Sequence, residues 1–279
     1  MPKMHDDEVE VDDALVRVLL SEQFPQWAGL PLVRAGDGTV NVVYRLGDEL
    51  AVRLPRRRAR DAAEDGILAA VAALPVEVPS LAGVGRPGAG YPWEWVVHTW
   101  LHGDHPSGDL PLEDVASLVE ALQRLDPGGA PEPSGGRGRP LAARDAYVRD
   151  AFERVEAPGA LELWERALRA PDWEGARVWI HADLDRRNVL VRVGRLTGVL
   201  DWGGAGAADP AVDLMVAWKL LAPSDRPAFR ERLGADDAMW LRAEGWVLSQ
   251  ALIALGYYTP QSNPELHAEA TRWLAEVLG

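Results

Sequence analysis

Apolar residues recur at helical spacing near the start of the sequence and then change to alternation with polar residues. Asp12 and Asp13 precede an apolar-periodic run that begins at Leu15. This pattern predicts a capped amphipathic helix ending near Pro25. Three short apolar runs joined by turn residues follow, and they predict an antiparallel meander. The predicted strands are 32–33, 40–46 and 50–54, with turns at 36–38 and 47–48.

The next part of the chain combines one helical pattern with one strand pattern. Residues 60–74 predict a helix that Pro75 and Pro79 terminate. Residues 93–101 are rich in aromatic and β-branched side chains, which predicts one or two strands. The polar run 102–108 follows as a linker. We therefore expect two domains, 1–101 and 102–279, with a hinge near 99–103.

The second domain is predicted to be mainly helical, which gives an α+β fold with a strand-rich first lobe. Residues 127–140 are rich in proline and glycine and predict a surface loop. Two short apolar strands flank a polar loop, and a hairpin turn at Gly194 leads into a third strand. The helices are expected at 113–125, 142–155, 161–170 and from 213 to the end, and the strands at 178–180, 189–191 and 196–200.

Composition narrows the function classes. The 279 residues contain no cysteine, which excludes disulfides, thiolate metal sites and cysteine nucleophiles. The net charge of −14 disfavours a nucleic-acid partner and would suit a cationic small molecule, although solubility alone explains it equally well. No apolar run is long enough to cross a membrane and no secretory signal is visible, so a cytoplasmic location is expected.

The stretch His181–Asn188, with the later Asp201, carries the most specific chemical pattern in the sequence. Phosphoryl transfer requires a carboxylate that accepts the proton of the attacking hydroxyl. It also requires an amide oxygen and a second carboxylate that hold magnesium ions. A His-x-Asp-x4-Asn loop followed by a hairpin and an aspartate supplies these groups, because the hairpin folds Asp201 back beside Asn188. The alternative interpretation is an ordinary polar turn between two strands.

The sequence resembles the aminoglycoside phosphotransferase family, which shares the protein-kinase fold, in its bacterial antibiotic-kinase branch. The resemblance covers nearly the whole chain and includes the polar loop. The other segments that carry it are 22–27, 51–55, 90–93, 140–145, 178–181 and 209–214. The resemblance implies a two-lobed kinase-like fold with an antiparallel-sheet N-lobe. It also implies a small-molecule kinase that uses ATP and Mg²⁺.

The resemblance also implies roles for individual residues. Asp183 corresponds to the catalytic base, and Asn188 and Asp201 correspond to the magnesium ligands. His181 corresponds to a scaffold residue that braces the catalytic loop near Asp201. Asp213 would bond back to the backbone of this loop; a helix-terminal carboxylate that interacts with the helix dipole is an equal alternative.

The sequence departs from the family pattern in the catalytic loop. Ala182 stands where the family usually has glycine, which is tolerable only if the backbone does not need a positive φ angle. Trp202 stands where the family often has phenylalanine. Asp185, Arg186 and Arg187 replace the usual Pro-Gly, so contacts to the substrate or the phosphates could differ here.

Nucleotide contacts are expected in the first lobe. Gly36, Gly38 and Thr39 fit the loop that covers the ATP phosphates, although a plain hairpin turn would look the same. Arg53 stands where kinases place a phosphate-binding lysine, and arginine can serve this role with two hydrogen bonds. Its expected carboxylate partner is Glu64, with Asp61 and Asp65 as competitors; a solvated surface pair is the alternative.

The adenine ring is expected to meet the chain at the hinge, beside Thr99, Trp100 and Leu101. Backbone groups would make the hydrogen bonds there, so the identity of these side chains carries little information.

The acceptor is expected in the second lobe. An acidic pocket would suit a cationic substrate, but core tryptophans and solvated carboxylates would give the same pattern. Three hypotheses stay open. The first is an antibiotic kinase that acts on an aminoglycoside, a basic cyclic peptide such as a tuberactinomycin, or a macrolide. The second is a metabolic kinase for a sugar, amino alcohol or glycated amine, and the third is a catalytically silent nucleotide-binding protein. The candidate carboxylates are Asp150, Glu153, Asp236, Asp237, Glu244, Glu265 and Glu269.

Overall fold

The structure is a computed structural model that describes residues 9–37, 41–56 and 63–279. The chain divides into two compact units. The first comprises the described residues of Met1–Ala72 and Glu77–His102, and the second comprises Ala73–Val76 and Gly103–Gly279.

The first unit is built on a five-stranded antiparallel sheet with the strand order β1-β2-β3-β5-β4. Two helices accompany it in the part of this unit that the structure describes. The sheet carries the apolar alternation of the sequence, because every second residue of β2 is buried. The elements are α1 (Asp13–Gln23), β1 (Leu32–Asp37), β2 (Asn41–Leu46), β3 (Leu50–Pro55), α2 (Ala63–Val71), β4 (Leu81–Gly85) and β5 (Trp95–Thr99).

Helix α1 begins where the sequence predicts it. The Asp12 carboxylate caps the helix by accepting a 2.8 Å hydrogen bond from the Leu15 amide. The apolar face of α1 belongs to the same core as Tyr44 of β2 and Trp95 of β5. Burial of this face against the sheet stabilises the unit mainly by the hydrophobic effect.

The second unit contains seven α-helices and two small antiparallel pairs of strands in its described residues. Strand β6 pairs with β9, and β7 pairs with β8. The elements are α3 (Leu112–Arg124), α4 (Asp145–Phe152), α5 (Ala160–Leu168), β6 (Val178–Ile180), β7 (Val189–Arg192), β8 (Arg195–Val199), β9 (Gly206–Ala208), α6 (Val216–Lys219), α7 (Arg226–Arg232), α8 (Asp237–Tyr257) and α9 (Pro264–Leu278).

Helix α8 organises this unit. It packs against α4, α5, α9 and the buried 3-10 segment Pro210–Met215. Its buried residues therefore lie on more than one side, as expected for a central helix. Across the ranges that the structure describes, no helix combines the length and the apolar character that a membrane crossing requires.

Several predicted elements have different bounds in the structure. The predicted turn at 36–38 is wrong for Gly36, because β1 continues through Asp37. The predicted helix 142–155 is divided into a 3-10 turn, Leu141–Arg144, and α4. The 213-to-end region begins as a 3-10 segment instead of an α-helix.

Strands β4 and β9 were not predicted at all. Strand β4 contains two glycines, and β9 is Gly-Ala-Ala, so neither carries a strong strand signal. Each forms because its neighbour, β5 or β6, provides a ladder of hydrogen-bonding groups.

Candidate active site

The polar loop His181–Asn188 connects β6 to β7 in the second unit. Strand β8 then returns alongside β7, and the Leu200 amide donates a 2.8 Å hydrogen bond to the Asn188 carbonyl. This pairing brings Asp201, the next residue, to the end of the loop beside Asn188. The hairpin thus has the geometry that the sequence predicts.

Asp213 holds the start of this loop. Its carboxylate accepts hydrogen bonds from the His181 amide at 2.6 Å and from the Ala182 amide at 2.8 Å. The side chain lies in the core with 2% of its surface exposed. Burial raises the pKa of Asp213, whereas His181 and the two amide donors act in the opposite direction. Of the two interpretations of Asp213, the backbone contact is therefore the observed one.

His181 connects the loop to the strand that ends at Asp201. Its Nε2 lies 2.9 Å from the Leu200 carbonyl, and its Nδ1 accepts a 3.2 Å hydrogen bond from the Asp183 amide. A carbonyl can only accept, so Nε2 carries the proton and Nδ1 is left as the acceptor. The ring packs edge-on against Trp202 at 4.6 Å between centroids, so Trp202 fills the place next to the histidine.

Ala182 has a left-handed backbone conformation, with φ of 70°. Alanine was expected to be tolerated here only without a positive φ angle, but the backbone has one. A non-glycine residue in this region costs about 1–2 kcal/mol. The Ala182 amide is held by Asp213, and its carbonyl lies 3.4 Å from the Gln250 Nε2 donor. Both backbone polar groups of the strained residue are thus bonded.

Asp183 follows this strained residue and is partly accessible, with 20% of its side chain exposed. Its backbone carbonyl accepts a 2.8 Å hydrogen bond from the Asn188 amide group. Burial raises the pKa of the Asp183 carboxyl, but the positive charges of Arg137 and Lys219 outweigh burial and lower it overall. The Asp183 carboxyl is therefore ionised at neutral pH.

Arg137 is a site residue that the sequence did not predict. Its Nη2 lies 3.4 Å from Asp183 Oδ2, and it comes from the proline- and glycine-rich stretch 127–140, which was predicted as a surface loop. Part of this stretch lies against β9 instead of in solvent, because the Ala207 amide donates a 2.9 Å hydrogen bond to the Pro131 carbonyl. No local sequence signal marks Arg137, because its partner is distant in the sequence.

Two glycines lie close to this loop. A Cβ atom at Gly206 would lie 2.4 Å from the Pro131 carbonyl oxygen, and one at Gly204 would lie 2.9 Å from Arg137 Nη1. Both distances are far below van der Waals contact. Glycine at position 206 therefore allows the loop backbone to approach β9, whereas the contact at Gly204 involves the end of the flexible Arg137 side chain and is easily relieved.

Behind the loop lies a second buried group of charges. Asp185 is fully buried and accepts hydrogen bonds from the Arg187 amide at 2.8 Å and from Arg187 Nη2 at 2.6 Å. Lys219 is also fully buried, and its pKa is lowered to about 8 because burial disfavours its charge, although Asp185 and Asp183 favour it. The three residues that replace the usual Pro-Gly therefore include an internal ion pair of the loop.

Asn188 and Asp201 are the residues that could hold a metal ion. Because the Asn188 amide nitrogen donates to Asp183, its Oδ1 remains as a donor atom for a cation. Asp201 is exposed, and within the described ranges its carboxylate makes no hydrogen bond or ion pair. Two oxygen donors suit Mg²⁺, which commonly binds one or two protein oxygens and completes its shell with water and phosphate. The donor set therefore fits Mg²⁺.

The first unit contains the predicted Arg53–Glu64 pair. Arg53 Nη1 of β3 donates a 2.6 Å hydrogen bond to Glu64 Oε1 of α2, and both side chains are less than a fifth exposed. A solvated surface pair would be far more exposed. Gly36 lies in β1 at a register irregularity opposite β2. Gly38, Thr39 and the competitor Asp61 fall outside the described residues.

The three residues expected to meet adenine lie at the end of β5 and just beyond it. The Thr99 amide donates to the Ser80 carbonyl at 2.9 Å, and the Trp100 amide donates to the Glu49 carbonyl at 2.7 Å. Neither N–H group is therefore available to a base. Leu101 follows directly, and of the three residues its amide is the remaining candidate donor for a ligand.

Most of the candidate acceptor carboxylates have structural partners. Asp150 pairs with Arg154, Asp237 pairs with Arg230, and Asp236 caps α8. Glu269 is bound by Arg272, and it lies 3.9 Å from Arg186 of the loop His181–Asn188. Glu269 is thus the member of the set with an ion pair to the loop. The other three candidate acceptor carboxylates are Glu153, Glu244 and Glu265.

Comparison with known families identifies the chain. The model of the phosphotransferase enzyme family, APH, matches residues 32–246, which is most of the sequence, and the chain belongs to this family. The match includes the loop His181–Asn188 and Asp201, and it also includes the Arg53–Glu64 pair.

Two curated relatives match shorter stretches. The uncharacterized protein YcbJ of Bacillus subtilis (strain 168) is 30% identical over 138 residues, which are 47% of this chain and 45% of YcbJ. The aminoglycoside 3'-phosphotransferase of Escherichia coli is 34% identical over 88 residues, 32% of each chain. The chain thus spans less than half the length of these relatives.

Solved structures resemble nearly the whole chain. Wild-type aminoglycoside 2'-phosphotransferase-IIIa in complex with GDP has a TM-score of 0.69 at 15% identity and covers 96% of this chain and 99% of that one. A thermostable mutant of aminoglycoside phosphotransferase APH(4)-Ia with AMP-PNP and hygromycin B has a TM-score of 0.63 at 20% identity, with coverage of 94% and 97%. Macrolide 2'-phosphotransferase MphH from Brachybacterium faecium has a TM-score of 0.61 at 23% identity. This match covers 92% of this chain and 98% of that one. The predicted kinase-like α+β fold class is confirmed.

Proposed function

We propose that this chain is an ATP-dependent phosphotransferase that moves the γ-phosphoryl group to a hydroxyl of a small-molecule acceptor. The observation that supports this most directly is the environment of Asp183. It is an ionised, partly accessible carboxylate whose backbone is fixed by buried contacts, and Asn188 and Asp201 lie at the other end of the same loop. This is the set of groups that phosphoryl transfer requires.

In the proposed reaction, Asp183 accepts the proton of the acceptor hydroxyl while the oxygen of that hydroxyl attacks the γ-phosphorus atom. The bond between this phosphorus and the β–γ bridging oxygen breaks, and ADP leaves. His181 and Asp213 hold Asp183 in position through the loop backbone. Positioning and electrostatic stabilisation would supply most of the rate enhancement.

Asn188 and Asp201 would hold Mg²⁺, which neutralises charge on the phosphates when bound. In the first lobe, 1–101, Arg53 would bind the phosphates and Glu64 would hold its guanidinium in place. The second lobe, 102–279, would bind the acceptor. Nucleotide binding is supported by relatives of the same fold that carry GDP or AMP-PNP. ATP as the donor fits a cytoplasmic location.

For the acceptor we propose an antibiotic, an aminoglycoside or another basic antibiotic such as a tuberactinomycin peptide. One relative is named an aminoglycoside 3'-phosphotransferase, and one neighbour of the same fold binds hygromycin B. The net charge of the chain, −14, also favours binding of a cationic acceptor.

One observation favours the second candidate, a metabolic kinase for a sugar, amino alcohol or glycated amine. The charges that act on Asp183 are positive, and they come from Arg137, Lys219 and Arg187. Glu269, the carboxylate connected to the loop, is bound by arginines. A polycationic acceptor would be repelled by these cations as it approached Asp183, whereas a singly charged amine would be repelled less and a neutral sugar not at all.

The test is ADP release with magnesium-ATP across aminoglycosides, tuberactinomycin peptides, macrolides, sugars, amino alcohols and glycated amines. The Asp183→Asn variant is the control, because it keeps the shape of the side chain and removes the base. Stimulation by one class that is lost by orders of magnitude in the variant would support the proposal and name the acceptor. Equal turnover in both proteins would refute the role of Asp183.

The metal ligands need a separate test. Asn188→Ala and Asp201→Ala are expected to shift the magnesium concentration for half-maximal activity upward, because each removes one oxygen donor. An unchanged magnesium titration in both variants would refute their assignment.

A further inference from the structure

Lys219 lies in an environment that lysine normally avoids. It is one of two lysines among the 279 residues, and it stands within an apolar run, Val216–Leu221, in which every residue is buried. Its own exposure is 0%. A buried ammonium group is costly unless it has partners that compensate for lost hydration. The contacts of Lys219 therefore indicate what the residue does.

The ammonium group has two direct partners on the C-terminal helices. Its Nζ donates a 2.5 Å hydrogen bond to Gln250 Oε1 of α8. The same Nζ lies 4.0 Å from the centroid of the Trp273 ring of α9, which is cation–π geometry. The backbone carbonyl of Lys219 accepts a 2.7 Å hydrogen bond from Arg272. Lys219 is thus fixed at both its backbone and its side chain.

Charged groups act on Lys219 from several elements. The carboxylates of Asp185 and Asp183 favour its positive charge, whereas Arg187 and Arg137 oppose it. The buried 3-10 segment adds another carboxylate, Asp213, which Lys219 influences in turn. From α9 the neighbouring charged groups are Glu269 and Arg272.

Gln250 connects Lys219 to the catalytic loop. Its Oε1 faces Lys219, and its Nε2 lies 3.4 Å from the Ala182 carbonyl. An amide group can be turned so that either end faces a given partner, but an ammonium group can only donate. Lys219 therefore fixes the orientation in which the Gln250 donor faces Ala182.

We propose that Lys219 is a positioning residue for the catalytic loop, acting through Gln250 on the backbone of Ala182. The left-handed conformation of Ala182 is disfavoured for alanine, so its peptide groups rotate toward relaxed geometry unless both are held. Asp213 holds the amide side and Gln250 holds the carbonyl side. The direction of the next residue, Asp183, depends on this backbone. The inference rests on the proposed role of Asp183 as the base.

The first test measures amide hydrogen exchange in the catalytic loop, which needs neither a nucleotide nor an acceptor. Lys219→Met removes the donor that orients the amide. Gln250→Glu keeps an acceptor for Lys219 but removes the donor to the Ala182 carbonyl. We expect both variants to increase exchange of the Ala182 and Asp183 amides by up to about tenfold, because losing one hydrogen bond lowers the free energy of local opening by about 1 kcal/mol.

The matched control is Ser249→Ala, which removes another buried polar side chain of α8. Ser249 bonds to the Trp246 carbonyl and to Arg144, not to the loop. Its variant is expected to leave exchange of the loop amides unchanged. The double variant Lys219→Met/Gln250→Glu is expected to match either single variant, because both act on one connection. Unchanged loop exchange in Lys219→Met or in Gln250→Glu would overturn the proposal.

A pH titration separates positioning from simple structural support. Protein labelled with [13C]lysine gives signals from two lysines only, and the Lys219 signal is the one missing in Lys219→Met. We expect loop exchange, corrected for its intrinsic pH dependence, to rise with the same midpoint as the Lys219 signal in the wild type. This rise should be absent in Lys219→Met. A rise that persists in the variant, or occurs at another midpoint, would refute the connection.

The kinetic arm uses whichever acceptor stimulates ADP release. Lys219→Met is expected to lower kcat at least about tenfold while KM for ATP stays within about twofold, because the loop geometry and not nucleotide affinity changes. An unchanged kcat would refute positioning. If no acceptor is found, the proposed function fails on its own terms, and the exchange and titration results still decide the role of Lys219.

Discussion

The burial of Lys219 predicts a specific pH dependence of stability. Its pKa falls from an ordinary 10.5 to about 8, mainly because burial disfavours the charge. Each pKa unit corresponds to about 1.4 kcal/mol, so the charged lysine costs the fold about 3 kcal/mol at neutral pH. In the unfolded chain the group stays protonated up to pH 10.5. Between about pH 8 and 10.5 the unfolded state therefore binds more protons, and this contribution to stability rises with pH.

Other groups also titrate in this range, so the measurement is a difference. The free energy of unfolding is determined by urea denaturation at a series of pH values for the wild type and for Lys219→Met. The wild-type value minus the variant value is expected to increase by about 3 kcal/mol between about pH 8 and 10.5. If the wild-type free energy of unfolding minus that of Lys219→Met stays constant or falls as the pH rises, the reasoning that burial disfavours this charge is refuted.

Three further variants test the frame of the loop. Asp213→Ala leaves the buried amides of His181 and Ala182 without an acceptor, which should lower the free energy of unfolding by about 3 kcal/mol in urea titrations; a loss below about 1 kcal/mol would contradict it. Arg137→Ala removes a charge that lowers the pKa of Asp183, so the acidic limb of the pH–rate profile should move to higher pH; movement to lower pH would contradict it. Ala182→Gly relieves about 1 kcal/mol of backbone strain but loses a buried methyl group worth about 0.8 kcal/mol. The melting temperature should therefore change little, and activity should persist. A large destabilisation would show that packing of the methyl group dominates.

The parts of the fold that sequence predicted well are those with local signals. Strand β6 has the predicted bounds, because three apolar residues stand between polar segments. The hairpin that returns Asp201 to Asn188 was predictable because two apolar strands are joined by a short turn. The capping aspartate of α1 was visible for the same reason.

The parts that were not predicted depend on contacts distant in sequence. Strand β9 has no strand propensity of its own and forms because the chain returns beside β6. Arg137 reaches Asp183 from a loop that looks featureless locally. The left-handed Ala182 follows from the loop geometry, not from the residue. Lys219 did carry one local signal, its position inside the apolar run 216–221, but its burial was not predictable because lysine is rarely buried without partners.

The close contact between the 127–140 loop and β9 determines how the Arg137 charge is delivered to Asp183. The loop backbone packs closely against Gly206 and accepts a hydrogen bond from the Ala207 amide, so this part of the loop is fixed against β9. The cation beside Asp183 is therefore preorganised, and the proposed reaction requires no closing motion of this loop. Under the proposed function, Gly206 is therefore a remote determinant of turnover. An added methyl group there would displace the loop and withdraw Arg137 without altering any residue that touches the reactants.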